Sequence, residues 1–279
     1  MDAKLRKQLE IAACKIRMGV IEGTYNAKSG HPGGSLSIAD VLAYLYFVQM
    51  RIDPSEPKAA DRDRLVLSKG HAAPALYSAL ALRGFFPTDE IKRLRKTGEM
   101  LQGHPSMKCV PGVDMSTGSL GQGISAACGM ALSAKHFGDD YKVYAILGDG
   151  EIEEGQVWEA AMFAAHKKLG NLVAFVDCND LQIDGTVDEV NSPKPVDAKF
   201  AAFGWNVQII NGHDFDAIEA ALDTAFKNDK PTAIIMNTVK GKGVSFMENQ
   251  VGWHGSAPNA EQYAAAMEEL NTALAAMEG

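Results

Sequence analysis

Apolar and polar positions alternate along the chain in two distinct rhythms. From Lys4 to Ala27, Leu5, Leu9, Ala12, Ala13, Ile16, Val20 and Ile21 recur every three or four residues, the spacing of an amphipathic helix. After the turn "SGHPGGS", Ile38 to Met50 is apolar enough for a second helix, with Ser35 or Ser37 placed to cap it. A different rhythm follows. "LVL" at 65–67 is a short continuous apolar run, then comes the polar turn "SKGH" and the helix "AAPALYSALALRG". Strand, turn and helix then repeat. "ISAACGMALSAKHFG" is a small-residue helix, "YKVYAILGDG" a strand, "EEGQVWEAAMFAAHKKLG" a helix and "NLVAFVDCND" a strand. A proline-bearing loop to Pro195 and a short helix lead to strand "WNVQIINGHD", helix "DAIEAALDTAFKN", strand "PTAIIMNTVKG" and the last helix "PNAEQYAAAMEELNTALAAMEG".

Continuously apolar strands separated by helices of about a dozen residues predict an α/β fold, a doubly wound, mostly parallel sheet with helices on both faces. No internal repeat and no Pro/Ser-rich linker interrupts the pattern, so a single domain over 1–279 is expected, with a carboxyl-terminal lid loop and helix at about 240–279. Ligands of such sheets bind at the carboxyl ends of the strands. Attention therefore falls on "SKGH", "GDG", "DCNDLQ", "NGHD" and "NTVKGKG".

Composition narrows the class. With 279 residues and 46% hydrophobic content the chain can bury a substantial core without disulfides. The net charge of −8, from 27 basic and 35 acidic residues, argues against nucleic acid as the main partner. The amino terminus lacks the apolar stretch of a signal peptide, and no charge-free run reaches the roughly 18 residues of a membrane span, so a soluble, cytoplasmic protein is expected. Cys14, Cys109, Cys128 and Cys178 form no CxxC pair and are expected as reduced core thiols.

The loops carry the chemistry. "GSLGQG", Gly118 to Gly123, does not match GxGxxG, and there is no GxxxxGK[ST], so neither a nicotinamide enzyme nor a P-loop NTPase is supported. Glycines at a helix entrance still expose backbone N–H groups suited to a phosphate, although a plain tight turn explains this loop equally well. Asp149 lies between two glycines at a strand end, poor packing material but a good hard ligand for Mg²⁺. One βαβ crossover later, Asn179 ends the next strand, so both side chains can reach one ion. Each alone could be an ordinary Asx turn; the pair at this separation argues for a ligand.

Gly148-Asp149-Gly150 followed about thirty residues on by Asn179 resembles the signature of thiamin-diphosphate enzymes. "GDGEIEEGQVWEA" with "NLVAFVDCNDLQIDG" resembles transketolase in particular. So do "SGHPGGSLSIADVL", "DRDRLVLSKGHAAPALYSAL", "GHPSM", "STGSLGQGIS", "NTVKGKG" and "WHGSAP", in the family's order over nearly the whole chain. The resemblance implies that Asp149, Asn179 and the main-chain carbonyl of Leu181 hold Mg²⁺. It implies that the diphosphate of thiamin diphosphate lies against His71, Gly118, Ser119, Leu120, Gly150 and Asn179, with Lys240 and His254 closing from the carboxyl-terminal side. His31, His104 and His254 then line the substrate channel and handle protons on sugar hydroxyls, a task suited to a side chain whose ordinary pKa is about 6.5. Glu154 matches a glutamate that meets the partner half near the aminopyrimidine, whereas helix-dipole complementarity suffices for Glu151 and Glu153. His136 and His166 are expected on helix surfaces, His213 has no assigned place, and Trp158 with "AAMFAAH" fits either core or subunit packing.

Transketolase polypeptides are usually more than twice this length, with pyrimidine-binding and third domains that have no counterpart here. The resemblance thus implies the amino-terminal subunit of a split enzyme, paired with a carboxyl-terminal subunit, as α₂β₂, and acting on sugar phosphates. Other readings stay open: the α chain of a 2-oxo acid dehydrogenase component, which gives no reason for "SGHPGG", "SKGH" and "GHP"; a ketol transferase for another sugar, including the deoxyxylulose phosphate synthase branch; and a cofactor-binding protein without activity.

Overall fold

A computed structural model describes all 279 residues. Helix α1 (Ala3–Ala27) is capped by Asp2, whose carboxylate accepts the Leu5 N–H at 2.8 Å, and stops where Lys28 turns left-handed. Then follow α2 (Pro32–Leu36), α3 (Ala39–Tyr44), β1 (Arg64–Leu67), α4 (Ala73–Arg83), α5 (Gly123–Phe137), β2 (Val143–Gly148), α6 (Gly155–His166) and β3 (Leu172–Cys178). The remainder comprises β4 (Leu181–Gln182), β5 (Gly185–Thr186), α7 (Val187–Val190), α8 (Val196–Ala202), β6 (Asn206–Asn211), α9 (Phe215–Ala225), β7 (Thr232–Asn237) and α10 (Ala260–Glu278).

Five strands form one sheet in the order β1-β2-β3-β7-β6, every pair parallel. Side chains alternate across it. Leu65, Leu67, Tyr144, Ile146, Val173, Phe175, Ile234 and Met236 face a core shared with α1, α3, α4 and α9. Val66, Val143, Ala145, Leu147, Leu172, Ala174, Val176, Ala233 and Ile235 face a second core shared with α5, α6 and α8. The helices that lead directly into each next strand divide by direction of travel, whereas α4, earlier in the β1→β2 connection, packs on α1. The steps β1→β2, β2→β3 and β3→β6 all advance across the sheet, and right-handed crossovers put α5, α6 and α8 on one face. The step β6→β7 runs backwards, so α9 falls on the other. No helix is long and apolar enough to cross a membrane.

Local departures from the expected elements have local causes. The expected turn at 29–35 is partly helical, Pro32 pre-setting the first residue of α2. Neither Ser35 nor Ser37 caps α3: Ser35 donates to the His31 carbonyl at 2.7 Å and Ser37 to Asp177 at 2.7 Å, leaving Ile38 at the cap position. The helix continues to Gln49 only as a π-turn, Leu45–Gln49. The loop before Pro195 contains the β4–β5 hairpin and α7, which has a Thr186–Glu189 capping box. Helix α6 begins only at Gly155, and 151–153 form a 3₁₀ turn. Cys14 and Cys128 are buried and Cys178 partly so, but Cys109 is exposed; all four are free thiols. Trp158 is partly buried against the second core, its indole N–H on the Ile152 carbonyl and its ring against Phe200 and Phe203. On the outer side of α6, Met162 and Phe163 remain exposed, while Ala160, Ala161 and Ala164 are buried.

Candidate active site

The carboxyl ends of β1, β2, β3 and β7 open into a cavity of about 380 Å³. Its lining brings together His31, His71, His104, Gly118, Leu120, Asp149, Gly150, Asn179, Leu181, Lys240 and His254, which come from loops as far apart as residues 31 and 254. Two of the expected residues stand outside the lining. Ser119 is exposed beside Leu120, and Glu154 is exposed at the start of α6, against Gly121. His136 and His166 are exposed at helix ends.

Asp149 follows β2 and is 4% exposed. Its two oxygens accept the N–H groups of Gly150 at 2.9 Å and Asp180 at 2.6 Å, and it makes no ion pair. Burial, reinforced by the nearby Asp177, pushes its pKa up to about 7. Asn179 presents its amide oxygen to the Leu181 N–H at 3.2 Å and donates to Asp177 at 2.9 Å. The Leu181 carbonyl receives the Lys240 ammonium at 2.7 Å, and that ammonium also lies 2.9 Å from His254 Nδ1. Burial and the neighbouring Lys69 lower Lys240 to about 8. A carboxylate, an amide oxygen and a main-chain carbonyl, the last already holding the Lys240 ammonium, thus line one cavity. That is a hard, all-oxygen set suited to Mg²⁺. No cluster of three or more His, Cys, Asp or Glu side chains has metal-holding geometry, so any ion here depends on the amide and carbonyl oxygens.

Three histidines form one wall. His31 and His71 have ring centroids 5.0 Å apart, His31 and His254 5.5 Å, and His71 and His254 5.3 Å. Burial holds each below its ordinary value, His31 at about 4, His254 at about 3 and His71 at about 2, with nearby cations adding to the effect. All three are neutral near pH 7, and the buried Nδ1 of His31 has no protein partner. His104 is also lowered, by burial and then Arg95, but stays exposed at the mouth.

Backbone approaches here leave no room for a Cβ. One on Gly70 would lie 2.7 Å from the Gly118 nitrogen, and one on Gly123 2.5 Å from Ser68 Oγ. The glycine-rich loop is therefore pressed onto the turn after β1. Its Gly121 N–H is not free for a ligand, because Glu151 takes it at 3.0 Å.

Three features of the site do not follow from residue order. Glu151 does not serve mainly as a dipole partner: buried, it binds Gly121, Gly148 and the Ser68 hydroxyl, tying three loops together. Asp177 and Lys69 form an interior ion pair at 2.6 Å. Gln182 lines the cavity, where a Cβ on Gly150 would come within 3.2 Å of it. A lysine before "GH" and an acid inside an otherwise apolar strand end are the only signals of them that the sequence carries.

The family described as "Transketolase, thiamine diphosphate binding domain" matches residues 9–274. The chain is 49% identical over 263 residues to the 6-deoxy-6-sulfo-D-fructose transketolase subunit of Clostridium sp., covering 94% of this chain and 96% of that one. It is 44% identical over 271 residues to an apulose-4-phosphate transketolase subunit of Phocaeicola vulgatus, covering 97% and 96%. A crystal structure of Campylobacter jejuni transketolase superposes with a TM-score of 0.90 at 32% identity, over 99% of this chain and 46% of that one. The chain accordingly spans less than half of that polypeptide, and 40% of human transketolase, to which it is 42% identical.

Proposed function

The chain belongs to the transketolase thiamine-diphosphate-binding family, and on that premise we propose that it is the diphosphate-binding subunit of a two-chain transketolase. In this reading it moves a two-carbon ketol unit from a ketose phosphate to an aldose phosphate, together with a carboxyl-terminal subunit, as a cytoplasmic α₂β₂ assembly. The observation that carries the reading is the single cavity that collects His31, His71, His254, Lys240, Asp149, Asn179 and Gly150 at the strand ends. The two relatives named as subunits, of nearly this length, support the need for a partner.

The residues fit the cofactor. Asp149, Asn179 and the Leu181 carbonyl would hold Mg²⁺, since a buried carboxylate with no cationic partner is left uncompensated without one. His71, Gly150, Asn179 and the Gly118–Leu120 turn, Ser119 included, would meet the diphosphate, closed by Lys240 and His254 on the 240–279 lid segment. When bound, thiamin diphosphate supplies the electron sink that lets the carbon–carbon bond beside a ketose carbonyl break and re-form. The chain's own part is placement and proton handling. Neutral His31 and His254 can each accept a hydroxyl proton near pH 7. His104, at the mouth, orients the sugar. Glu154, exposed beside Gly121, would meet the partner subunit. The two named relatives carry a sulfo or a phosphate group in their substrates' names, which supports a sugar with an anionic end.

The test is ketol transfer, assayed for this chain, for a carboxyl-terminal transketolase subunit, and for their mixture with Mg²⁺ and thiamin diphosphate. Activity only in the mixture is expected; full activity from this chain alone would overturn the two-chain reading. In the mixture, His31→Ala and His104→Ala should lower turnover about 10²–10⁴-fold with cofactor affinity little changed. Unaltered kinetics would assign both residues to turns.

A further inference from the structure

A polar cluster outside the cavity lining plays no part in the cofactor assignment. Arg17 of α1 and Asp40 of α3 pair at 2.5 Å with side chains 11% and 7% exposed. The same Asp40 oxygen lies 2.6 Å from Nδ1 of His213. The other ring nitrogen, Nε2, accepts the main-chain N–H of Val239 at 2.9 Å. An N–H pointing at Nε2 requires a lone pair there, so the ring proton sits on Nδ1, against Asp40. The contact is built in: a Cβ on Gly212 would lie 2.6 Å from Thr238 Cγ2 and 2.9 Å from Met236 Cβ, so only glycine lets the 211–213 loop reach the end of β7.

Val239 is bonded to Lys240, whose ammonium touches the Leu181 carbonyl and His254. Beyond β7 the chain has no ladder to hold it, and this stretch is kept in place by individual bonds. Thr238 N–H reaches the Cys178 carbonyl at 3.2 Å and Gly241 N–H the Gly33 carbonyl at 3.0 Å; between them stands the imidazole. We infer that His213 is a positioning residue, oriented by Asp40 and Arg17, that fixes the Val239 main chain and through it the placement of Lys240 over the Leu181 carbonyl. It touches neither cofactor nor substrate. The role assigned to Lys240 rests on the function proposed above; the brace itself does not.

Two substitutions separate bracing from space-filling. Glutamine can put an acceptor oxygen where Nε2 is, whereas asparagine reaches only the Nδ1 position and leaves Val239 without an acceptor. The readouts are amide exchange at Val239 in this chain, and thiamin diphosphate affinity of the assembled two-chain enzyme with Mg²⁺, followed by tryptophan fluorescence. His213→Asn should speed Val239 exchange and weaken cofactor affinity by about 10-fold each, and His213→Gln should stay within about threefold of the native chain on both. Equal behaviour of the two variants, or a released Val239 with unchanged cofactor affinity, overturns the inference. Should a variant not fold, the ¹⁵N shifts of His213 in the native chain decide: the Nδ1–H tautomer is expected, and the Nε2–H tautomer is incompatible with the brace. A native assembly that fails to bind cofactor would instead sink the functional reading, and with it the link to Lys240, while tautomer and exchange still report on the brace.

Discussion

Asp149 and Asp177 end neighbouring strands, Gly148 pairing with Asp177 across β2 and β3, and both are buried. Their surroundings differ. Asp177 receives Lys69, Ser37, Asn179 and Thr238, and although burial raises its pKa, Lys69 and these hydrogen bonds prevail and lower it. Asp149 receives only two main-chain N–H groups and is pushed up to about 7. One carboxylate is saturated by side chains of the protein and the other has main-chain donors alone. The same residue type at two strand ends can therefore titrate in opposite directions, and the partners decide which.

The comparison breaks most severely at Asp177. Asp177→Ala strands the Lys69 charge in the interior, and removing one partner of a buried pair typically costs about 3–5 kcal/mol. A thermal melt of the chain should show a large fall in Tm; a near-native melt would mean Asp177 is not the brace. Asp149→Ala should do the opposite. Far-ultraviolet circular dichroism and Tm should stay close to native, because the freed N–H groups belong to Gly150, in the cavity lining, and to the exposed Asp180, where water can replace the carboxylate. Mg²⁺-dependent thiamin diphosphate affinity should fall by at least about 100-fold, beyond the 10–100-fold of losing an outer partner of a ligand. Normal binding by this variant would remove it from the metal site.

The histidine wall gives a smaller, pH-linked effect. His31, His71 and His254 are held at about 4, 2 and 3, whereas an unfolded imidazole titrates near 6.5. Below about pH 6.5 the unfolded chain takes up protons that the folded chain refuses, so stability is full above that pH and is lost as pH falls toward 4. The slope is at most about 1.4 kcal/mol per pH unit for His71, and less for the more open His31 and His254. Asp149, raised to about 7, acts in the opposite direction over the same window, so the check is on the rings themselves: in the ligand-free chain their NMR signals should show no protonation between pH 7 and 5, and titration near 6.5 would contradict their enclosure. The smallest effect sharpens the contrast with Lys69. Lys194 also pairs with two aspartates, Asp180 at 3.0 Å and Asp188 at 2.8 Å, but at the surface. Lys194→Ala should leave Tm unchanged within error.

Much of this is legible from residue order. The five strands and the long helices follow from continuous apolar runs against three-and-four spacing, both properties of neighbours in the chain. Asp149, Asn179 and the glycine-rich loop stand out as candidates because glycines and Asx residues at strand ends are rarely packing material, whereas His71, Leu181, Lys240 and His254 come forward only through the family resemblance. The role of Glu151 is not, because an acid near a helix start has a sufficient local explanation, and only the fold brings Ser68 and Gly121 to it. Ser37 resembles a cap for the same reason; its hydroxyl goes to Asp177, 140 residues away.

Periodicity and turn chemistry by themselves determined the fold class, the succession of strands and helices and the loops that bear chemistry, because each depends on residues a few positions apart. Tertiary structure alone decided which acid is satisfied and which is not, which face each helix covers, and that an unassigned histidine reaches Val239. Those outcomes depend on distances between segments tens to hundreds of residues apart, and on burial, which raises the cost of an unpartnered charge only once the chain has closed around it.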